Sequence, residues 1–124
     1  ELKGVWRLAR RGPSDIYLLA DAEAGQQVEA HISDYCVGVF HWRDGKLHRD
    51  GDRPAFEAFD AATGALVMKL YAQNGCEHRE GGRPTGYLRN AKNELEPHFG
   101  EGRRFSVKPA IRDDAELSKV FVRR

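Results

Sequence analysis

The sequence predicts a mainly β fold, an antiparallel meander of repeated β-hairpins that ends in a short C-terminal helix. The first observation is an internal copy, because the segment 44–54 recurs 30 residues later as 74–84 with matching glycine, histidine, arginine and proline positions. The second is the turn chemistry, since Asp-Gly and Asn-Gly dipeptides open the two copies. These dipeptides best tolerate the positive φ angles of a tight hairpin turn. A repeat of this length indicates a supersecondary unit that buries its apolar face only beside its copies.

Size and composition limit the classes of protein. The 124 residues fit one domain, 1–124, and 40% hydrophobic against 31% charged residues indicate a globular chain. No apolar run approaches the roughly 20 residues of a membrane-spanning helix, so no membrane partner is expected. Two cysteines are fewer than a small secreted domain usually carries, which favours the cytoplasm. A net charge of +1 falls short of the basic balance typical of dedicated nucleic-acid binders.

The two clear repeats span 42–60 and 72–90. A strand is predicted before each hairpin turn, at 35–42 and at 65–72, because both segments are rich in residues that pack well on a pleated surface. Within the second segment apolar side chains occupy alternate positions, which is the period of a half-buried strand. A helix is therefore disfavoured in either repeat.

Proline marks the next strand of each repeat. Pro54 and Pro84 donate no ladder hydrogen bond, so they suit the beginning of a strand. Strands are predicted at 56–60 and 87–90, and a further one at 94–99. Each repeat thus combines strands with two turns.

A degenerate third copy is predicted at about 9–33. Its Asp21 and Gly25 have the spacing of Asp60 and Gly64 in the first clear repeat. Degenerate outer copies are expected, because terminal repeats must cap the array against water. A chance match of turn-rich sequence is the alternative interpretation.

The C-terminal segment changes character after Pro109. Acidic residues at 113–116 precede Leu117, Val120 and Phe121, which have the i, i+3, i+4 spacing of an apolar helical stripe. We expect this short helix to cover one edge of the sheet, since uncovered edges invite aggregation.

The first repeat carries the pattern Trp42-x-x-Gly45-x-x-His48-Arg49-x-Gly51-x-x-Pro54-Ala55. This pattern resembles the MORN-like variant repeats of bacterial and bacteriophage proteins. The second repeat departs from it at Ala72, where the tryptophan would stand, and at Thr85, where the alanine would stand. The resemblance implies a series of β-hairpins that serves as a scaffold or binding surface, often without catalysis and frequently on phage or other mobile DNA.

Arginines recur in register near aromatic residues, which predicts a stripe of cations and rings along one side of the sheet. Such a stripe could engage acidic patches on a protein, or stack single-stranded bases and neutralise phosphates. Alternatively, the acidic residues among these arginines could pair with them in a solvated face. The predicted binding residues are Trp42, Arg49, Arg53, Tyr71, Arg79 and Arg83.

Two histidines could carry chemistry. His48 and His78 each stand two residues before a carboxylate, so each could be a general base with an orienting acid. Their return at the same place in each repeat instead favours a structural rung, with the ring hydrogen-bonded to the turn. No catalytic residue is therefore predicted.

Metal and cofactor sites are not predicted. Cys36, His41, Cys76 and His78 could supply zinc ligands, but their spacing contains no Cys-x-x-Cys or histidine knuckle. Both cysteines are expected to be buried as small apolar residues. No glycine fingerprint of a nucleotide-binding loop occurs, so no cofactor is expected.

These features predict a non-catalytic protein that acts by protein–protein contact. The resemblance implies a phage-related or mobile-element-encoded inhibitor that docks on a bacterial defence complex, as anti-CRISPR proteins do. One alternative is a nucleic-acid-binding module that uses the same arginines. A second is a small hydrolase or nuclease that uses His48 or His78. The sequence indicates neither the partner's identity nor the oligomeric state.

Overall fold

A computed structural model of the chain describes residues 4–105 and 120–123. Within them the fold is an antiparallel meander, which confirms the predicted mainly β class. The strands are β1 (Gly4–Arg10), β2 (Asp15–Leu19), β3 (Gln26–Ile32), β4 (Cys36–Arg43), β5 (Lys46–Leu47), β6 (Phe56–Asp60), β7 (Leu66–Leu70), β8 (Ala72–Gln73), β9 (Cys76–Glu77), β10 (Gly86–Arg89), β11 (Leu95–His98) and β12 (Val120–Arg123). The main sheet has the order β11, β10, β7, β6, β4, β3, β2, β1, β12, and β5 pairs with β4.

Both predicted hairpin turns form. The φ angles are 52° at Asp44 and 73° at Gly45 in the first turn, and 50° at Asn74 and 82° at Gly75 in the second. Positive φ at both central residues is what a type I′ turn requires. The turns lead into β5 and β9, which the sequence does not predict, because two residues are too few to show an alternating pattern.

The short strands form a second row of hairpins beside the main sheet. The backbone N–H of Gly75 donates to Leu47 O at 2.9 Å, which holds the second turn against the first hairpin. The carbonyl of the same Gly75 accepts from Phe105 N at 2.8 Å, which adds the segment 103–105 on the other side. Each hairpin of this row is therefore hydrogen-bonded to the next one.

The core consists of two clusters on opposite faces of the main sheet. Successive residues of a strand point to opposite faces, so Val39 and Phe40 of β4 contribute to different clusters. The first cluster is Trp6, Val28, Ala30 and Val39. The second is Leu47, Ala55 and Ala72, with Phe40, Trp42, Phe56 and Phe105 packed against them, and it lies between the main sheet and the row of short hairpins.

The C-terminal segment closes one edge of the sheet as a strand. Most of the predicted helix, including Leu117, lies outside the described residues. The structure differs from the prediction at Val120 and Phe121, which belong to β12 and pair with β1 in the register Trp6 to Phe121. β-branched and aromatic residues favour pleated pairing, and β1 offers them a free edge. The expected edge cover is thus present, but as a strand at these residues.

Replacement of Gly75 by alanine tests the turn geometry. At a φ of 82° an added Cβ costs about 1–2 kcal/mol through backbone strain. Space is adequate, because that Cβ would lie 3.5 Å from the nearest side-chain atom, Cβ of Lys46. We expect a lower urea midpoint for Gly75→Ala than for the control Gly12→Ala, whose backbone is outside the left-handed region. Equal midpoints would contradict the assignment.

Candidate functional site

Two arginines of each repeat hold their own loop in the same way. Each of the four donates to a backbone carbonyl within its repeat, at matching positions and nearly equal lengths. Buried or half-buried carbonyls need such donors where no strand partner is present. The matched bonds are Arg49 Nη1 to Pro54 O (3.1 Å) and Arg79 Nη1 to Pro84 O (3.2 Å), then Arg53 Nε to Asp50 O and Arg83 Nε to Glu80 O (both 2.9 Å).

His48 joins the two repeats as a buried rung. Its side chain is 2% exposed, and Nε2 lies 2.8 Å from Asp50 Oδ1. Nδ1 accepts the backbone N–H of Asn74, in the next hairpin turn, at 2.9 Å. Because a backbone N–H can only donate, Nδ1 is the bare nitrogen and Nε2 carries the proton that is donated to Asp50. The ring is therefore neutral and bonded to the turn.

His78 occupies the matching position with different chemistry. Its Nε2 lies 2.8 Å from Glu80 Oε1, and its Nδ1 lies 2.6 Å from Glu101 Oε2. The hydrogen bond to Glu80, followed by that to Glu101, raises the pKa of His78, because both carboxylates favour the ring that donates from both nitrogens. When it is protonated, His78 thus forms surface ion pairs with Glu80 and Glu101 and links their two loops.

A ladder of alternating charges runs along the repeat loops. Asp52 of the first repeat lies between two arginines of the second, at 3.0 Å from Arg79 Nε and 2.7 Å from Arg83 Nη1. Their hydrogen bonds, that of Arg79 foremost, hold the pKa of Asp52 below its usual range. A longer contact of 3.7 Å joins Arg53 to Glu23 in the segment before it. The repeats are therefore linked by cross-repeat ion pairs, which salt screens at the surface.

The ring of Tyr71 is buried beneath this ladder of charges. The guanidinium carbon of Arg79 lies 4.0 Å from its ring centroid, a cation–π contact. Lys69 Nζ lies 5.9 Å from the same ring and 5.1 Å from that of Tyr87. Since Tyr71 is only 6% exposed and the side chain of Arg79 over it only 14%, the ring presents little surface to solvent.

The structure brings five of the six predicted binding residues to one groove of about 220 Å³, and places the sixth elsewhere. Trp42 lies on the opposite side of β4, where its ring stacks on Phe40 with centroids 5.9 Å apart. Alternation along the strand places its neighbour His41 on the groove side instead. The five residues in the groove are Arg49, Arg53, Tyr71, Arg79 and Arg83.

His41 lines a second cavity of about 340 Å³ that continues from this groove. Arg49 and Arg53 line both, so they form the border between them. Burial, followed by the two arginines, lowers the pKa of His41 to about 4. At neutral pH this imidazole is therefore uncharged and adds no positive charge to the surface.

Sequence reasoning missed a buried polar cluster in the second repeat. Glu77 is 0% exposed and accepts a hydrogen bond from Thr85 Oγ1 at 2.5 Å. His98 Nε2 lies 3.0 Å from Glu77 Oε2, and Arg103 Nε lies 2.8 Å from Oε1. The signal is visible when the copies are compared for differences, because Glu77 and Thr85 replace apolar residues of the first repeat.

Within residues 4–105 no three or more His, Cys, Asp or Glu side chains are grouped to hold a metal ion. Cys36 is exposed and Cys76 is half-buried, so the expected burial of both cysteines was wrong for Cys36, which begins β4 at the end of the sheet. No helix in the described part of the chain is long and apolar enough to cross a bilayer.

Comparison with known proteins leaves the geometry as the argument for function. No protein-family model, no curated protein and no solved structure matches this chain. The MORN-like resemblance stays a prediction from the repeat pattern. A fold alone does not specify a function, which depends on the sites and surfaces that the fold carries.

Substitution of the two histidines by leucine tests the buried rung. His48→Leu leaves the Asn74 N–H without its acceptor inside the protein, and such a loss costs about 1–3 kcal/mol. The matched control His78→Leu frees side chains that water can reach, so its loss should be smaller. Urea unfolding at about pH 8 gives both values, and a larger loss for His78→Leu would refute the assignment of His48.

The pH dependence of stability tests His78. Because its pKa is raised on folding, its stabilisation is fully present below the ordinary value of 6.5 and is lost as the pH rises through the folded-state pKa. The pKa of Glu101 is lowered by His78, so that contribution is present above 4.5 and is lost as the pH falls.

We therefore expect the difference in unfolding free energy between the wild type and His78→Gln to be largest between pH 4.5 and 6.5. It should shrink toward alkaline pH, in urea titrations repeated across the range. A difference that grows above the folded-state pKa would show that the two carboxylates do not hold an imidazolium.

Proposed function

We propose that this protein is a non-catalytic binding protein that acts by protein–protein contact through the groove along its repeat loops. The observation that carries the proposal is the mixture of charges in that groove. Four arginines, the residues most favoured at interfaces together with Tyr and Trp, line it. They are accompanied by the carboxylates Asp50, Asp52 and Glu80.

A mixed groove fits a protein surface better than a nucleic-acid backbone. Phosphates carry one sign of charge, so the three carboxylates would oppose them at each step along the strand. A protein partner can place acidic groups opposite the arginines and basic groups opposite the carboxylates. The loops are also fixed by the arginine-to-carbonyl bonds, which reduces the ordering entropy lost on binding.

The positions of the histidines support a role without catalysis. His48 is 1% exposed and both of its ring nitrogens are occupied, so a substrate has no access to it. His78 is bonded at both nitrogens to carboxylates. A general base needs one nitrogen free to accept the proton of its substrate.

The finer proposal is an inhibitor, encoded by phage or a mobile element, that docks in the bacterial cytoplasm on a defence complex. Its support is the MORN-like pattern of the repeats and the small, stiff surface that they build. An inhibitor of this kind acts by occluding a functional surface of its target, and it needs no catalytic activity.

Charge reversal of the ladder tests the proposed interface. Arg53→Glu with Arg83→Glu changes the groove while both residues stay solvent-exposed, and Arg11→Glu with Arg104→Glu is the matched control elsewhere on the chain. We expect a partner captured from bacterial lysate to be kept by the control and lost by the groove variant. The purified partner should reproduce a loss of at least about tenfold in affinity.

The competing function is measured on the same variants. Fluorescence anisotropy with single-stranded and duplex DNA, over a salt series, reports phosphate binding as a steep fall of affinity with ionic strength. Tight, salt-dependent DNA binding that the groove variant loses would replace the protein-binding proposal by the nucleic-acid alternative.

A further inference from the structure

The two repeats differ at one buried pair of positions. The first repeat places Leu47 and Ala55 in its core, at 4% and 0% exposure. The second places Glu77 and Thr85 at the matching positions, equally buried. An ion pair of this kind loses so much hydration that apolar residues of similar volume are often neutral or more stabilising. The hairpin geometry therefore does not require the polar pair, and another role must account for it.

The surroundings of Glu77 hold its carboxylate in place. Thr85 Oγ1 donates to Glu77 Oε2 and itself accepts Gly100 N at 2.8 Å. The chain passes so closely that a Cβ on Gly100 would lie 2.5 Å from Glu77 Oε2 and 2.6 Å from His98 Nε2. The carboxylate thus has a fixed position from which it can orient other side chains.

Arg103 forms an ion pair with this carboxylate from the solvent side. Its Nε lies 2.8 Å from Glu77 Oε1, and its guanidinium carbon lies 5.2 Å from the ring centroid of Phe105. Its side chain is nevertheless 53% exposed. Nε is the atom of this guanidinium that lies nearest to Glu77, and a half-exposed guanidinium offers a fork of donors of the kind that binds carboxylates.

Arg103 lies at one end of an apolar groove of about 280 Å³ on the face of β7, β10 and β11. His98, which is 43% exposed, lies at the same end. Glu96 lies two residues away on β11 and accepts from Asn90 Nδ2 at 2.7 Å, which makes the opposite end negative. The apolar lining is Met68, Leu70, Leu88 and Pro97.

We propose that this groove binds the C-terminal residue of the partner protein, with its apolar side chain between β7 and β11 and its free carboxylate on Arg103. The volume is just below the range of drug-sized ligand pockets and suits a single large side chain. Glu96 repels a second anionic group, so the occupant is apolar except at its terminus. The proposal rests on the protein-binding function above, but it uses a surface apart from the arginine ladder.

Two probes that differ only at the terminus test this inference. The peptide acetyl-Gly-Leu-Phe is titrated into the full-length protein, once with a free carboxyl and once as the amide, and observed by ¹H–¹⁵N NMR. The acid should shift the amide signals of Leu88, His98 and Arg103. The amide should bind at least about tenfold more weakly. Equal binding of the two peptides would overturn the proposal.

Matched variants test whether Arg103 and the Glu77–Thr85 pair are needed to bind the peptide carboxylate. Arg103→Lys keeps a cation beside Glu77 but lacks the fork, so it should lose about tenfold in affinity for the acid, whereas the exposed neighbour Arg104→Lys should not. Glu77→Leu with Thr85→Ala restores the first repeat's pair and should fold at least as stably while it loses the peptide. If either Arg103→Lys or Glu77→Leu with Thr85→Ala bound the peptide acid with wild-type affinity, the role of Arg103 would be refuted. One outcome would separate this inference from the proposed function. If Arg53→Glu with Arg83→Glu, in the groove along the repeat loops, loses the partner while the Arg103 variants keep it, the protein-binding function stands and this inference fails.

Discussion

The hydrogen bond from Asn74 N to His48 Nδ1 fixes the distance between the two repeats, and much of the structure depends on it. It spans 2.9 Å and ends on the ring of His48, a residue that is 1% exposed. The other nitrogen of the same ring binds Asp50, so one neutral side chain satisfies a turn and its own loop together. With the turn held there, Gly75 can bond to the hairpins on both sides, and the loop carrying Asp52 comes within reach of the next pair of arginines. The surface ladder is thus a consequence of a buried contact.

The parts of the fold that could be predicted are those where backbone geometry restricts the residue type. Two successive positive φ angles demand Asp-Gly or Asn-Gly, and the strands around them show alternation of side chains. The short strands β5 and β9 leave no such trace. Their pairing comes from the neighbouring hairpin, through contacts between residues such as Leu47 and Gly75 that are far apart in sequence. At Val120 and Phe121 the i, i+3, i+4 spacing was overridden by the free edge of β1, which tertiary context supplies.

The candidate site also contains some residues that could be predicted from the sequence and others that could not. The loop arginines could be found from the sequence, because residues that recur in register occupy recurring environments, here a carbonyl to be satisfied in each loop. Trp42 follows His41 by one position and therefore lies across the strand from the groove, a distinction that depends on which face of β4 is turned toward the loops. Glu77 was missed for another reason. A repeat pattern is defined by the residue types that recur, and Glu77 stands where the first repeat has Leu47.

That difference between the copies has a structural cause. The core position of the first repeat, Leu47, is covered by the whole second hairpin, which adds β8 and β9 to the row. Within the described residues, the second hairpin is followed in this row by the segment 103–105, whose Arg103 is half-exposed beside edge strand β11. A carboxylate at Leu47 would replace a side chain that is 4% exposed and packed in an apolar cluster, so its desolvation would be costly. At Glu77 a cation and an imidazole, both partly exposed, lie beside the carboxylate, and a polar core position becomes compatible with folding. The second repeat is therefore the place where a binding group can be anchored in the core without disturbing the first hairpin.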